Sequence, residues 1–595
     1  MPFLRIWGLF GDVVEVLQNI NQWLCGRCMA LHALSRGCHH EDGVAKFLRN
    51  DDGKGEFIIG IPKPCQPIVE PATEQDIGSK LVVDISLLER LFAMPITTVK
   101  SIPPSCRLAF AQALSNTLSK VVAAPGSVEA WIKLLLLPRC TLRTIRPTSR
   151  QERRSGNRKS LQCSSIMRSL AIWKDGAGIE ELVVPLLSQS GEELTRGPVS
   201  QNESENGANI KQCLRKVADG HFTDAVKVLC SSGVAPCGDS TLKALVDKHP
   251  VRDPPHLPRV LPNKDALQVN AECVLENISS FPKGTSCGRD GLRAQHIMDA
   301  LCGQGSSPPS ALLVVITEVV NIWLRGLCPK ILAEFIASAP LTPLLKPDNG
   351  IRPIAVGGIW RRLVSKVAMR KIGKEMSAYL GDFQYGVGVP NGAEAILHSA
   401  NRFLNAFRDD GSLAMLTVDF SNAFNMVDRT ILLREVSIRC PSIYQWVQFL
   451  YAQPARLYVG DTCIGAYTGV QQGDPLGPLL FALVLHPLVL QVEEHCSVPF
   501  HAWYLDDGTI IGRAEEVAKA LDIIRAEGPQ FGLMLNIKKS EIFWPTCNGM
   551  KVKPGIFPDE IGRPQKGVKL LGGMLAVMGS TLALWQSRGL STQLT

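Results

Sequence analysis

Three aspartates are the residues of this chain best suited by type and spacing to do chemistry. The first stands in Leu416-Thr-Val-Asp-Phe-Ser-Asn-Ala-Phe-Asn425, where a β-branched apolar run delivers Asp419 at its end and Ser421 and Asn422 can cap a following turn or helix. A carboxylate at the end of a buried strand is held rigidly near the surface, where a cation can reach it. The other two stand in His501-Ala-Trp-Tyr-Leu-Asp-Asp-Gly-Thr-Ile-Ile-Gly512, where two β-forming runs flank a predicted hairpin with Asp506 and Asp507 at its tip. Adjacent carboxylates repel, and burying both pushes one toward protonation. A divalent cation removes that penalty, and magnesium suits a few carboxylates completed by water and phosphate oxygens. Taken singly, each motif is also compatible with an ordinary turn or cap.

Other segments extend the pattern. Downstream of Asp419 come Gly469-Val-Gln-Gln-Gly-Asp-Pro-Leu-Gly-Pro478, Gly532-Leu-Met-Leu-Asn-Ile-Lys-Lys-Ser540 and Leu570-Leu-Gly-Gly573. In the first of these, Asp474 suits a helix N-cap and Pro475 the first helical position. Upstream lie Phe281-Pro-Lys-Gly-Thr-Ser-Cys-Gly-Arg-Asp-Gly-Leu292, Leu344-Leu-Lys-Pro-Asp-Asn-Gly-Ile-Arg-Pro-Ile354, Arg361-Arg-Leu-Val-Ser-Lys366 and Gln384-Tyr-Gly-Val-Gly388. Taken together and in this order, these segments resemble the fingers and palm motifs of reverse transcriptases of the non-LTR retrotransposon type. The resemblance covers about half the chain.

That resemblance implies an α+β right-hand polymerase, with fingers and a split βαββαβ palm preceded by a mainly helical N-terminal region. It implies an RNA-directed DNA polymerase that adds deoxynucleotides to a primer 3′-hydroxyl by two-metal phosphoryl transfer. Asp419, Asp506 and Asp507 would hold two Mg2+ ions. Lys346 and Arg352 would bind the triphosphate, with Arg352 favoured by its forked donors, and Lys539, next to Lys538, would lie near the pyrophosphate. Phe420, Phe424, Gln472 and Gly473 complete the implied nucleotide contacts, Gly473 by letting the backbone approach a nucleotide. Phe424 lies five positions after Asp419, where a ring beneath the deoxyribose would collide with a 2′-hydroxyl; RNA-making viral polymerases usually carry an aspartate there. The implied partners are an RNA template, a DNA primer and deoxynucleoside triphosphates, with the oligomeric state left open. The hairpin reads Tyr504-Leu-Asp-Asp507, whereas many non-LTR enzymes carry Ala at the second position, so the subfamily stays open. The alternative reading is an inactive retroelement relic that binds nucleic acid without polymerising.

The rest of the chain carries less chemistry. At 595 residues, with 45% apolar and 20% charged content, it reads as folded protein of several domains rather than as a disordered chain. Eighteen scattered cysteines and no clean secretory signal point to an intracellular, nuclear protein. The apolar stretches Ala311–Leu324 and Pro475–Val492 read as buried helices rather than membrane spans, because the first holds Glu318 and Asn321 and the second holds three prolines and His486. No membrane partner is expected. Cys25, Cys28, Cys38 and His39 could build a tetrahedral zinc site, although Cys28 and His32 also fit an ordinary helix. Arg143, Arg146, Arg150, Arg153, Arg154 and Arg158 against the single acid Glu152 make a basic linker that could also bind phosphate.

Leu81–Phe92 is predicted as an amphipathic helix and Val128–Leu137 as a second one stopped by Pro138. The predicted organisation is a helical N-terminal region over 1–187, a linker and small helical unit over 188–270, fingers over 271–415, palm over 416–575 and a tail over 576–595. Because the primer-grip match ends near Gly573, the helical thumb is expected to be missing from this chain.

Overall fold

The computed structural model describes residues 82–145, 155–175, 179–187, 205–218, 220–236, 238–259, 265–302, 308–346, 348, 350–407, 410–545, 555–565 and 567–576. Cys25, Cys28, Cys38 and His39 lie outside the described residues, as do Arg146 to Arg154 of the basic run. The strands are β1 (Ala339–Leu345), β2 (Ile351–Ala355), β3 (Leu413–Val418), β4 (Ala455–Val459), β5 (Thr462–Ala466), β6 (Phe500–Tyr504), β7 (Asp507–Arg513), β8 (Glu541–Phe543), β9 (Gly567–Leu570) and β10 (Gly573–Ala576). They form one sheet in the order β2-β1-β4-β5, another in the order β6-β7-β3-β8, and a β9–β10 hairpin. In that last hairpin Leu571 and Gly572 both have positive φ, 48° and 89°, as tight two-residue turns between twisted strands demand.

The β6-β7-β3-β8 sheet dictates where the aspartates go. Its middle strand β3 reads Leu-Ala-Met-Leu-Thr-Val and is buried at every position but Thr417, as expected of a strand covered on both faces. Two helices cross over it: one between β3 and β6, Gly477–His495, and one between β7 and β8, Ala514–Glu527. Counting these with the strands gives the order β-α-β-β-α-β. Gly477–His495 is long and apolar enough to cross a membrane, yet 67% of that stretch is buried inside the fold. It is a core helix.

The helices before residue 190 do not stand apart from this core. Arg107–Ala123 packs on Pro308–Leu324 and Ala294–Leu301. A tryptophan cluster ties distant segments together, with the Trp323 ring 4.8 Å from Trp131, 5.6 Å from Trp360 and 6.5 Å from Trp446. Such aromatic pairs add about 0.5–1.5 kcal/mol each beyond area burial. The buried Arg139 guanidinium donates to the carbonyls of Arg289, at 3.0 Å, and Met94, at 2.9 Å.

One local expectation needs correction. Helix Val128–Thr141 runs through Pro138 instead of stopping there; its burial against the core outweighs the one helical hydrogen bond that proline removes. Within the predicted linker and small helical unit over 188–270, the first described helix is Glu205–Ala218. The other amphipathic prediction resolves to Ile85–Ala93, capped by the Asp84 side chain, which accepts from the Leu87 N–H at 2.9 Å.

Asp474 does different work from the N-cap role read in the sequence. The helix starts at Gly477, so Pro478 and not Pro475 occupies its first turn. Asp474 Oδ1 accepts from the Leu476 N–H at 3.1 Å in the turn ahead of the helix. Its Oδ2 accepts from Arg361 Nη2 at 2.8 Å and from the Tyr451 hydroxyl at 2.9 Å. Arg361 and Asp474 are 2% and 0% exposed, so either charge left alone would be stranded in a low-dielectric interior. Arg361 Nη1 also donates to the Ala337 carbonyl at 2.7 Å, which ties the segment before β1 to the loop before the core helix. Replacing Asp474 by Ala is therefore expected to cost about 3–5 kcal/mol, read as a lower midpoint of chemical denaturation followed by tryptophan fluorescence. An unchanged midpoint would contradict the buried pairing.

Candidate active site

Strand register brings the three aspartates to one edge. β3 and β7 are antiparallel, with Thr417 opposite Thr509 and Val418 opposite Gly508, so Asp419 emerges beside Asp507. β6 and β7 pair up to Tyr504 opposite Asp507, which leaves Leu505 and Asp506 as a two-residue turn. Leu505 has φ +56°, where such a turn favours glycine. A side chain in that left-handed region costs about 1–2 kcal/mol.

Residues that the sequence reading passed over fix Asp419. Asn536 Nδ2 donates to Asp419 Oδ2 at 2.9 Å, and the Asn536 N–H donates to the Asp419 carbonyl at 2.8 Å. The Asp419 N–H donates to Ser540 Oγ at 3.2 Å. Both partners sit in the Gly532–Ser540 motif, where two lysines drew the attention; nothing in a lone Asn announces that it will face a carboxylate.

The electrostatics follow from this convergence. Burial raises the Asp419 carboxyl above its ordinary range, with the Asn536 hydrogen bond pulling the other way. Burial also raises Asp506, and the Asp419 charge adds to it. Asp507 is pushed up to about 7 by burial and then by Asp506 and Asp419. On the other side stand cations. Lys346 is pulled below the usual lysine range by burial and then by Lys539, Arg352 and Lys248. Lys248 is a further residue that the sequence reading did not single out. It is placed there by Asn422, whose Nδ2 donates to the Lys248 carbonyl at 2.8 Å.

Among the described residues no cluster of three or more His, Cys, Asp or Glu side chains is arranged to hold a metal ion by itself. The donor set instead fits magnesium, which takes one or two carboxylates and completes its shell with water and substrate phosphates. Partly buried carboxylates that raise one another's pKa are the groups such a cation would relieve.

The remaining predicted residues are distributed around this edge. Lys346 follows β1, and Arg352 lies on β2 opposite Leu344 with its side chain exposed. Lys539 Nζ reaches Asp348 Oδ2 at 3.4 Å, between side chains that are both more than half exposed; such a pair contributes about 0–1 kcal/mol. Lys539, and not Lys538, is the lysine whose charge reaches Asp419 and Lys346. Phe424 is half-buried and stacks on Phe481, ring centroids 4.6 Å apart and 11° from parallel. Gln472 is half-buried beside His249, Arg429 and Tyr451.

Two of the residues implied as nucleotide contacts also have packing roles within the fold. Phe420 is 4% exposed and its ring stacks on Trp503 at 6.0 Å, so its side chain packs under the hairpin. Gly473 has φ +110°, and a Cβ there would sit 2.7 Å from the Ala355 carbonyl oxygen. The close approach that requires glycine is therefore to strand β2.

Residues 344–575 match the family described as reverse transcriptase (RNA-dependent DNA polymerase). The retrotransposable element SLACS 132 kDa protein of Trypanosoma brucei gambiense is 26% identical over 285 residues, which cover 46% of this chain and 23% of that protein. The chain thus spans less than a quarter of that relative. Apo telomerase from Candida tropicalis aligns over 41% of this chain and 48% of its own, at 12% identity and a TM-score of 0.30, a likeness too slight to bear on the fold.

Proposed function

We propose that this chain is a reverse transcriptase of the non-LTR retrotransposon type, a reading supported by the family match over residues 344–575 and the likeness to a retrotransposable element protein, and that it adds deoxynucleotides to a primer 3′-hydroxyl on an RNA template. The observation that carries this reading is the convergence of Asp419, Asp506 and Asp507 opposite the cations Lys346, Arg352, Lys539 and Lys248. We assign the β6-β7-β3-β8 sheet with its two crossover helices as the palm, and the β2-β1-β4-β5 sheet as part of the fingers.

In this reading the bond from the primer 3′-oxygen to the α-phosphorus forms as the bridge between α- and β-phosphates breaks, and pyrophosphate leaves. Asp419, Asp506 and Asp507 would hold two magnesium ions, which when bound would favour ionisation of the 3′-hydroxyl and neutralise charge on the leaving pyrophosphate. Lys346 and Arg352, on the β1–β2 hairpin, hold and orient the triphosphate; Arg352 does so through parallel donors. Lys539 is poised over the pyrophosphate end once its exposed partner Asp348 lets go. Gln472, at the turn before the core helix, lies on the side of the templating base pair. Phe424 stands with its ring braced by Phe481, so a 2′-hydroxyl would meet a wall that cannot yield. An intracellular, nuclear location is part of this reading.

The reading is tested by primer extension with purified wild-type chain and Asp506→Ala. The variant is expected to keep its fold and template binding while losing at least about a hundredfold in rate, on the order of 3 kcal/mol of transition-state stabilisation. Near-normal extension by the variant would sink the metal assignment, and a folded but inactive wild-type chain would favour the relic.

Sugar selection gives a separate test. Phe424→Val is expected to raise the efficiency of ribonucleotide over deoxynucleotide incorporation by about tenfold or more, because the clash with the 2′-hydroxyl is worth at least one hydrogen-bond-sized step in free energy. An unchanged ratio would make Phe424 a packing residue only.

A further inference from the structure

The turn that carries Asp506 holds a leucine where glycine belongs, and the fold must supply what keeps it there. Leu505 is at φ +56°, and its neighbour Gln384 is 3% exposed, far from it in sequence and in full contact with its backbone. Gln384 Oε1 accepts from the Leu505 N–H at 2.8 Å, and Gln384 Nε2 donates to the Leu505 carbonyl at 3.4 Å. The same Oε1 accepts from the Gly386 N–H at 2.9 Å. Two N–H donors on one side and a carbonyl on the other admit only this orientation of the amide. Around it, the Tyr385 N–H donates to the Trp503 carbonyl at 2.8 Å, so the segment runs alongside the end of β6. A Cβ on Gly386 would sit 2.7 Å from Leu505 Cγ and 2.9 Å from Leu505 N, so glycine there lets the leucine lie down.

We propose that Gln384 is a positioning residue that clamps the peptide groups on both sides of Leu505, holds the turn in its left-handed form and thereby sets where Asp506 and Asp507 stand. This rests on the polymerase reading above for its consequence in catalysis, though not for its structural content. The chemistry suits the task. An uncharged amide supplies one acceptor and one donor to a single residue without adding charge beside three carboxylates. A glutamate could accept from both N–H groups, but it could not donate to the carbonyl and would deepen the repulsion. Since the clamp touches neither substrate nor reacting atoms, its loss displaces the carboxylates without removing any of them.

The test uses Gln384→Ala, Leu505→Gly and the double variant in the full chain, with two independent readouts. Hydrogen exchange at the Leu505 and Gly386 amides is expected to accelerate by about tenfold or more in Gln384→Ala while core strands stay protected. In single-nucleotide extension, kcat is expected to fall by about tenfold or more, with KM for the deoxynucleotide and template–primer affinity within about twofold, because displaced ligands affect the reaction step and not binding of the duplex. Glycine takes φ +56° without strain, so the kcat loss on adding Gln384→Ala is expected to shrink to about threefold or less in the Leu505→Gly background.

Unchanged exchange at Leu505, an unchanged kcat, or the same kcat loss in both backgrounds would overturn the clamp. Loss of protection throughout the chain would overturn it too, since a clamp on one turn does not hold the whole fold. If wild-type chain extends no primer while exchange at Leu505 still accelerates in Gln384→Ala, the clamp stands and the polymerase reading fails.

Discussion

Holding three carboxylates close together, partly out of water, is the constraint on which the rest of this structure turns. Burial raises all three, Asp419 raises Asp506 further, and Asp506 and Asp419 together raise Asp507. Left to themselves they would separate or protonate. The fold prevents the separation by rigid means: the β3–β7 register fixes Asp419 beside Asp507, Asn536 and Ser540 fix the Asp419 side chain and backbone, and the Leu505–Asp506 turn fixes the other two. Lys346, Arg352, Lys539 and Lys248 supply a positive field nearby, yet among the described residues none of them forms an ion pair with the three aspartates, and Lys539 turns to Asp348 instead. In the proposed function these carboxylates are held ready for a cation that comes with the substrate.

What holds the frame is mostly distant from this edge. The tryptophan cluster ties helix Val128–Thr141 to helices Pro308–Leu324, Ile359–Leu380 and Tyr444–Tyr451, and the Arg139 hydrogen bonds tie it to the backbone at Met94 and Arg289. The buried Arg361–Asp474–Tyr451 network joins the segment before β1, the turn before the core helix and the helix ahead of β4. A pair this deeply buried adds little net stability over an apolar alternative, but it punishes any arrangement that separates its members. That is the property a site needs when two sheets must keep a fixed relation around a ligand.

Much of this was legible in the residues. Asp419 at a strand end and Asp506 and Asp507 at a hairpin tip follow from local pattern alone, and the alternation of strands and helices emerges in the expected order. The failures are equally physical. Pro138 reads as a stop, but a helix packed on every side tolerates one lost hydrogen bond. Asp474 reads as a cap because its partner Arg361 is 113 residues away. Phe420 and Phe424 look alike in sequence, and only the fold shows one buried against Trp503 and the other half-buried against Phe481. Gln384, Asn536 and Lys248 act through contacts more than a hundred residues distant along the chain, which no local spacing can reveal.

The most direct test of the account compares the stability of wild-type chain with that of Asp507→Asn, with and without magnesium, by chemical denaturation. The substitution keeps the shape of the side chain and removes one of three repelling charges. Without divalent cations the variant is expected to be the more stable, by about 1 kcal/mol once screening by the solvent that reaches the partly buried Asp507 is allowed for. Magnesium is expected to stabilise the wild-type chain by mass action and to narrow or reverse that gap. A wild-type chain as stable as the variant without magnesium, and indifferent to its addition, would contradict the claim that these carboxylates are held together for a cation.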